Sequence, residues 1–155
     1  MRPRFIQAFN STPKEIFRIN SGRLIRLRAH PGPVKPQGVF DLLTRDGKVH
    51  PSILNAQDYD FPNGASMRPN SRRQQHLVRK LDSSSGCVYA VPRGVPIPRD
   101  LVLVHEFRDH YSMQAAKEMT VDELNHKITT FLGANGEVFS REEWLQRYPG
   151  ETEIS

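Results

Sequence analysis

The sequence predicts an α+β fold, with short-stranded mixed sheets and a few peripheral helices. Twelve prolines and ten glycines divide the 155 residues into short segments, and long amphipathic patterns typical of a helical bundle are few. Two apolar runs rich in valine, Cys87–Val91 and Leu101–Phe107, indicate strands. Capping motifs for helices occur mainly in the second half of the chain.

The first half of the chain is interpreted as short extended segments joined by turns. An apolar stretch at Phe5–Phe9 precedes Glu15–Ile19, which is the predicted first strand. Thr12-Pro13 also fits the start of a helix, so we expect a single turn that leads into this strand. The segments that follow are an extended run at Arg23–Arg28, a loop at 30–38, a strand or short helix at Val39–Leu43 and a turn-rich region at 44–65.

Three capping motifs predict the helices. Ser71-Arg-Arg-Gln74, Thr120-Val-Asp-Glu123 and Ser140-Arg-Glu-Glu143 each place a hydroxyl three residues before a Gln or Glu. The predicted helices are residues 72–81, a second that ends at Leu132 and a third that ends at Arg147.

The strands of the second half are predicted from apolar runs. Pro92 and Gly94 end the Cys87–Val91 strand, and Leu101–Phe107 is apolar enough to be a central strand. Arg108-Asp109 is predicted to be a turn that leads into a partner strand, His110–Ala115.

Length and composition indicate one domain over residues 1–150, with a loose tail at 151–155. No window approaches 18 consecutive apolar residues, and no apolar segment follows the basic N-terminus, so neither a transmembrane helix nor a signal peptide is predicted. Cys87 is the only cysteine, which excludes an intrachain disulfide and a cysteine-based zinc site. A cytoplasmic location is therefore expected.

Charge is distributed unevenly along the chain. Residues 1–80 contain 15 Lys and Arg against 5 Asp and Glu, whereas residues 81–155 contain 7 against 12. Of the 22 basic residues 16 are arginine, whose planar guanidinium suits phosphate and carboxylate groups. An anionic ligand is one explanation, and a solvated arginine-rich surface is the other.

Several motifs of common enzymes do not occur. His105 and His110 are five residues apart in a strand-like context, whereas zinc proteases place two histidines four apart on a helix, so no metal site is predicted. Neither a Gly-x-Ser-x-Gly motif nor a glycine-rich nucleotide-binding loop is present. The basic residues form two clusters that support an alternative function, a nucleic-acid-binding or nuclease-like toxin: Arg23, Arg26 and Arg28, then Arg72, Arg73, Arg79 and Lys80.

Between residues 16 and 132, four segments are similar to segments of one protein family and occur in the same order. They are Phe17–Ile19, Asn63–Asn70, Val88–Leu101 and His110–Met113. The chain resembles the NAD-dependent toxins of the second type-six-exported effector family, in particular a fungal-type homologue. The resemblance implies an ADP-ribosyltransferase-like fold and an intracellular toxin that binds NAD. Such an enzyme would transfer ADP-ribose to an unknown macromolecular acceptor, or hydrolyse NAD, and would have a neutralising immunity protein as partner.

The resemblance also implies roles for individual residues. Arg18 corresponds to the first-strand arginine that holds an NAD phosphate or ribose, and Ser66 to the hydroxyl that orders the ribose pocket. Where bacterial relatives have Gly-Thr-Ser, this chain has Gly64-Ala65-Ser66, so Ala65 lacks the middle hydroxyl. Ala65 and Arg68 are expected beside the cofactor, and His110 and Tyr111 at its nicotinamide end. The remaining alternative is that the chain is an inactive member of this family, which has kept the fold and acts as a binding module.

Many ADP-ribosyltransferases use a late glutamate, but the toxins that this chain resembles have no obvious one. Glu106 is the candidate for the catalytic carboxylate in this chain. A two-residue turn at Arg108-Asp109 would place Phe107 opposite His110 and Glu106 opposite Tyr111. Cross-strand partners lie on one face of a sheet, so Glu106 and Tyr111 would share a face and His110 would lie on the other. The three residues could then act together only if the turn were longer.

Overall fold

The computed structural model describes residues 5–30, 41–51, 63–82 and 84–153. Within these ranges three helices begin at the three predicted caps: α1 (Arg72–Arg79), α2 (Val121–Asn135) and α3 (Arg141–Arg147). At each start the cap hydroxyl accepts a hydrogen bond from the backbone N–H of the third helical residue. α1 is shorter than predicted. α2 continues past Leu132 because the isolated Gly133 does not stop it, and it is capped by Gly136.

Replacing Thr120 by alanine is expected to lower the free energy of unfolding by about 1 kcal/mol, because Glu123 N–H loses its acceptor at the start of α2. Urea titration measures this change. Thr130→Ala, at an exposed position within the same helix, is the control and is expected to change stability little or to raise it. Equal effects of the two substitutions would contradict a capping role.

Eleven strands form three sheets in the described ranges. The strands are β1 (Gln7–Phe9), β2 (Ile16–Ser21), β3 (Ala29–His30), β4 (Leu42–Arg45), β5 (Lys48–Val49), β6 (Ala65–Met67), β7 (Gly86–Val91), β8 (Leu101–Phe107), β9 (His110–Ala115), β10 (Met119–Thr120) and β11 (Glu137–Phe139). The sheet orders are β1-β8-β9-β6, β10-β5-β4-β3 and β11-β7-β2. β8 is an inner strand, as predicted for the most apolar run. Helices and small mixed sheets together make an α+β fold.

A short backbone contact joins two of these sheets. Phe17 N donates to Arg68 O at 2.8 Å, and Arg68 N donates to Phe17 O at 3.0 Å. β2 therefore runs beside the end of β6, which brings Arg18 next to Ser66. Gly64 allows the approach of β6 to β9, since a Cβ atom there would overlap the carbonyl oxygen of Met113.

The core has two main parts. The larger packs α2, through Leu124 and Ile128, against residues such as Ile16, Tyr89 and Met113. The smaller packs α1 and α3 on the other face of β2 and β7, with Trp144 fully buried at its centre. Because β7 is covered on both faces, its sequence is a continuous apolar run.

Three expectations for the chain ends and turns are corrected. β1 precedes the predicted first strand, so Arg18 lies on the second strand. No helical turn forms at Thr12. Its hydroxyl instead donates to Pro92 O at 2.7 Å and accepts from Val95 N at 2.9 Å. Residues 151–153 are not loose, because the backbone N–H groups of Thr152 and Glu153 both donate to Asn70 O.

Other expectations are met in part. Leu42 and Leu43 belong to a strand, not to a helix. Ile25 and Leu27 lie in the predicted extended run, but their N–H groups donate to Thr129 and Asn125 of α2 and not to a neighbouring strand. His30, the first residue of the predicted 30–38 loop, ends β3, and residues 31–38 lie outside the described residues. Residues 52–62, half of the turn-rich region, also lie outside them. No helix in the described ranges is long and apolar enough to cross a membrane.

Candidate functional site

A cleft of about 350 Å³ lies where β2 meets β6 and α1. Its walls are apolar side chains of β2 and α1 together with six polar residues. We call it the Arg18 cleft, and its polar residues are Arg18, Ser66, Arg68, Gln74, Lys80 and Asp82. Three of the six are cations and one is a carboxylate, so the cleft suits an anionic ligand.

Arg18 is held from two sides at the edge of β2. Its Nη1 donates to the backbone oxygen of Ser66 at 3.1 Å, and its Nη2 donates to Asn20 Oδ1 at 3.1 Å. Asn20 is itself fixed by bonds from its Nδ2 to Gly22 O and Leu24 O. Burial lowers the pKa of Arg18, since the charged form is taken from water. The guanidinium is thus positioned, but it forms no salt bridge with a carboxylate of the described residues.

Ser66, His110 and Glu106 form a continuous chain of polar contacts. His110 Nε2 lies 3.0 Å from Ser66 Oγ, and His110 Nδ1 lies 2.8 Å from Glu106 Oε1. The Nδ1 contact with the carboxylate is at ion-pair distance but does not have hydrogen-bond geometry. In the tautomer with the proton on Nδ1, next to the carboxylate, Nε2 accepts from the serine hydroxyl. Ser66 lines the cleft, His110 stands behind it, and the Glu106 side chain is only 1% exposed.

A β-bulge creates this arrangement. In the β8–β9 pair, Phe107 faces His110 as expected, but the next pair is His105 with Tyr111, and the register shifts between His105 and Phe107. The prediction that Glu106 faces Tyr111 is wrong, because one extra residue on the β8 side turns Glu106 towards His110. The Arg108-Asp109 turn that connects the strands places Arg108 at a φ of 42°.

Arg68 lies just after β6 and borders the same cleft. Its Nε is 3.7 Å from Asp109 Oδ2, and the same oxygen accepts a hydrogen bond of 2.6 Å from Ser71 Oγ. Burial lowers the pKa of Arg68, and the nearby Asp109 opposes this effect. The cleft therefore contains a second arginine that is mostly buried.

Two of the candidate residues point away from the cleft. Ala65 and Tyr111 alternate with Ser66 and His110 along their strands, and both side chains belong to the main core. Tyr111 stacks on His105 at 4.2 Å between ring centroids. The structure brings together Arg18, Ser66, His110 and Glu106, with Arg68 nearby, and it does not bring Ala65 or Tyr111 to them.

Sequence reasoning missed four polar residues at the site: Asn20, which holds Arg18, and Gln74, Lys80 and Asp82, which line the cleft. Asn20 follows Arg18 by two positions on one strand, a spacing that places both side chains on the same face and could have identified it. The capping motif is the only role that the sequence assigns to Gln74, and no feature of the sequence indicates that Gln74 and not its neighbour Gln75 lines the site.

The sequence matches the family model described as Tse2 ADP-ribosyltransferase toxin over residues 14–144, which is more than half of the chain. The matched range includes Arg18, Ser66, Glu106 and His110. The match does not assign the chain to fungal-type members. No curated protein matches the sequence.

Proposed function

Because the chain belongs to the family of Tse2 ADP-ribosyltransferase toxins, we propose that it binds NAD in the Arg18 cleft and transfers ADP-ribose to a macromolecule of the target cell. Hydrolysis of NAD is the reaction when no acceptor is present. The observation that supports this proposal most is the contact of Arg18 with Ser66 at one wall of the cleft, with His110 and Glu106 behind.

Arg18 is suited to the diphosphate of NAD. A buried guanidinium that contacts no carboxylate of the described residues is costly, and an anionic ligand in the cleft would compensate its charge. Guanidinium groups bind phosphate oxygens through paired, charge-assisted hydrogen bonds. The two bonds to Ser66 O and Asn20 fix the plane of the group before the ligand arrives, which limits the entropy lost on binding.

Ser66 and His110 are suited to the ribose next to the nicotinamide. Cleavage of the bond to nicotinamide develops positive charge on the ribosyl carbon, as in glycoside cleavage. With its proton directed to His110 Nε2, Ser66 Oγ presents lone pairs to the cleft, where they can stabilise that charge. His110 also provides a base, which can take up the proton of an attacking hydroxyl by way of Ser66 Oγ.

Glu106 acts through His110 in this proposal. Its carboxylate is enclosed behind the imidazole, so it has no route to the ribose. It keeps the proton of the neutral His110 ring on Nδ1 and holds the ring in its orientation. It also stabilises the His110 imidazolium after proton transfer. This role differs from that of the catalytic carboxylate for which Glu106 is the candidate in the sequence.

The nucleic-acid-binding alternative has less support. Several members of the basic clusters have local partners: Arg28 lies 3.2 Å from Asp41, Arg72 lies 3.9 Å from Glu151, and Arg79 donates to Gln75.

The proposed function also includes action of the toxin inside the target cell and protection of the producing cell by a neutralising immunity protein.

The test is incubation of the purified protein with NAD and a cell lysate, in parallel samples labelled in the adenylate phosphate and in nicotinamide. The expected result is label on a macromolecule from the first sample and free nicotinamide from the second. Products no greater than those of Arg18→Met protein would reject the proposal. Tight binding to nucleic acid that weakens steeply with salt, without NAD cleavage, would favour the alternative.

A further inference from the structure

We propose that Gln74 and Arg68 complete a diphosphate-binding subsite in the Arg18 cleft, where they donate hydrogen bonds to phosphate oxygens of a nucleoside diphosphate. The identification of that ligand as part of NAD rests on the proposed function. The arrangement of hydrogen-bond donors does not depend on the proposed function, because three side chains that border one cleft provide it.

The side-chain amide of Gln74 is buried at the cleft without a hydrogen-bond partner among the described residues. The residue is only 1% exposed, its side chain lines the cleft, and its Nε2 is buried without a hydrogen-bond partner among the described residues. Its backbone N–H is already satisfied by Ser71 Oγ at 3.1 Å. Buried amide groups normally have partners, so the missing acceptor belongs to something that enters the cleft.

The adjacent Gln75 is a glutamine of the same helix whose amide groups have partners within the fold. It is also buried, at 2% exposure. Its Nε2 donates to Asn70 Oδ1 and to Tyr148 O, both at 2.9 Å, and its Oε1 accepts from Arg79 at 3.3 Å. Gln75 therefore joins α1 to the C-terminal segment, whereas the Gln74 amide makes no comparable contact with the residues that the structure describes.

Two arginines extend the same pattern. The Nε atoms of Arg18 and Arg68 are also buried without a hydrogen-bond partner in the described part of the chain. Asp109 Oδ2, at 3.7 Å from Arg68 Nε, is too distant for a hydrogen bond. Both residues border the cleft together with Gln74.

The chemistry of these three groups identifies the ligand class. All three nitrogens are donors, and they come from β2, the segment after β6, and α1. One carboxylate has two oxygens, whereas a diphosphate offers several acceptor oxygens in different directions. The cleft of about 350 Å³ has room for such a group.

The test compares Gln74→Met with the matched control Gln75→Met in the full chain. Binding of ADP-ribose, inorganic pyrophosphate and nicotinamide riboside is measured by calorimetry, and thermal unfolding without ligand is measured in parallel. For Gln74→Met we expect about tenfold weaker binding of ADP-ribose and pyrophosphate. We also expect unchanged binding of nicotinamide riboside and an unfolding temperature equal to or above that of the wild type. Gln75→Met should lower the unfolding temperature and leave these affinities unchanged.

Two results would overturn the inference. One is a Gln74→Met protein that loses stability as Gln75→Met does and binds the phosphate-containing probes normally. The other is a wild-type protein that binds neither ADP-ribose nor pyrophosphate. Nicotinamide release from NAD, measured on the same samples, separates this from the proposed function. Cleavage with an unchanged KM in Gln74→Met rejects only the subsite, whereas Gln74-dependent binding without cleavage rejects only the enzymatic proposal.

Discussion

Arg18→Met is expected to lower kcat/KM for NAD by at least about 100-fold, because it removes charge-assisted hydrogen bonds to the ligand worth about 1.5–3 kcal/mol each. Methionine fills much of the same volume and carries no charge. The bonds to Ser66 O and Asn20 Oδ1 are lost, but so is the cost of a buried cation without a carboxylate. We therefore expect a folded protein whose free energy of unfolding changes by no more than about 1–2 kcal/mol.

The control for this substitution is Arg26→Met. Arg26 is an exposed arginine of the same part of the chain, and it does not line the cleft. Nicotinamide release, measured over a range of NAD concentrations, should be close to wild type in the control. Similar turnover in the Arg18 and Arg26 variants would show that the NAD phosphates bind elsewhere.

His110→Gln is expected to lower kcat by about 10²–10⁴-fold, the usual contribution of a general acid–base group, with little change in KM. The reason is that His110 contacts Ser66 Oγ but does not line the cleft, so it contributes to the reaction more than to NAD binding. His126→Gln, at an exposed position on α2, is the control. A rise in KM with unchanged kcat would instead indicate a role in ligand binding alone.

Glu106→Gln provides a second measurement of the same chain of contacts. Its amide keeps the size of the side chain and a polar oxygen beside His110 Nδ1, but the negative charge is lost, so kcat should fall less than in His110→Gln. The double variant should be no slower than His110→Gln alone, since Glu106 acts through the imidazole. Additive losses in the double variant would contradict this role.

Local signals predicted the helices and the strongest strands. Ser71, Thr120 and Ser140 begin the helices because a cap hydroxyl and the residue three positions on belong to one turn. The bounds of Leu101–Phe107 and His110–Ala115 are also confirmed. Apolar content and turn residues are properties of neighbouring positions, so a single sequence contains them.

Long-range pairings were not predictable in the same way. The position of Glu106 depends on a register shift between β8 and β9, which moves its side chain to the face of His110. Gln74 becomes part of the site because β2, β6 and α1 meet there. The docking of residues 151–153 on Asn70 likewise joins segments that are distant in sequence.

The sequence by itself determined the α+β class, the helix starts, and a set of polar residues from which the site is built. Only the tertiary structure decided which of them converge: it joins Arg18 to Ser66, Ser66 to His110 and His110 to Glu106, and it turns Tyr111 to the core. The physical reason is that strand register and one bulge select the face on which each side chain lies, and these depend on contacts between segments far apart in the chain.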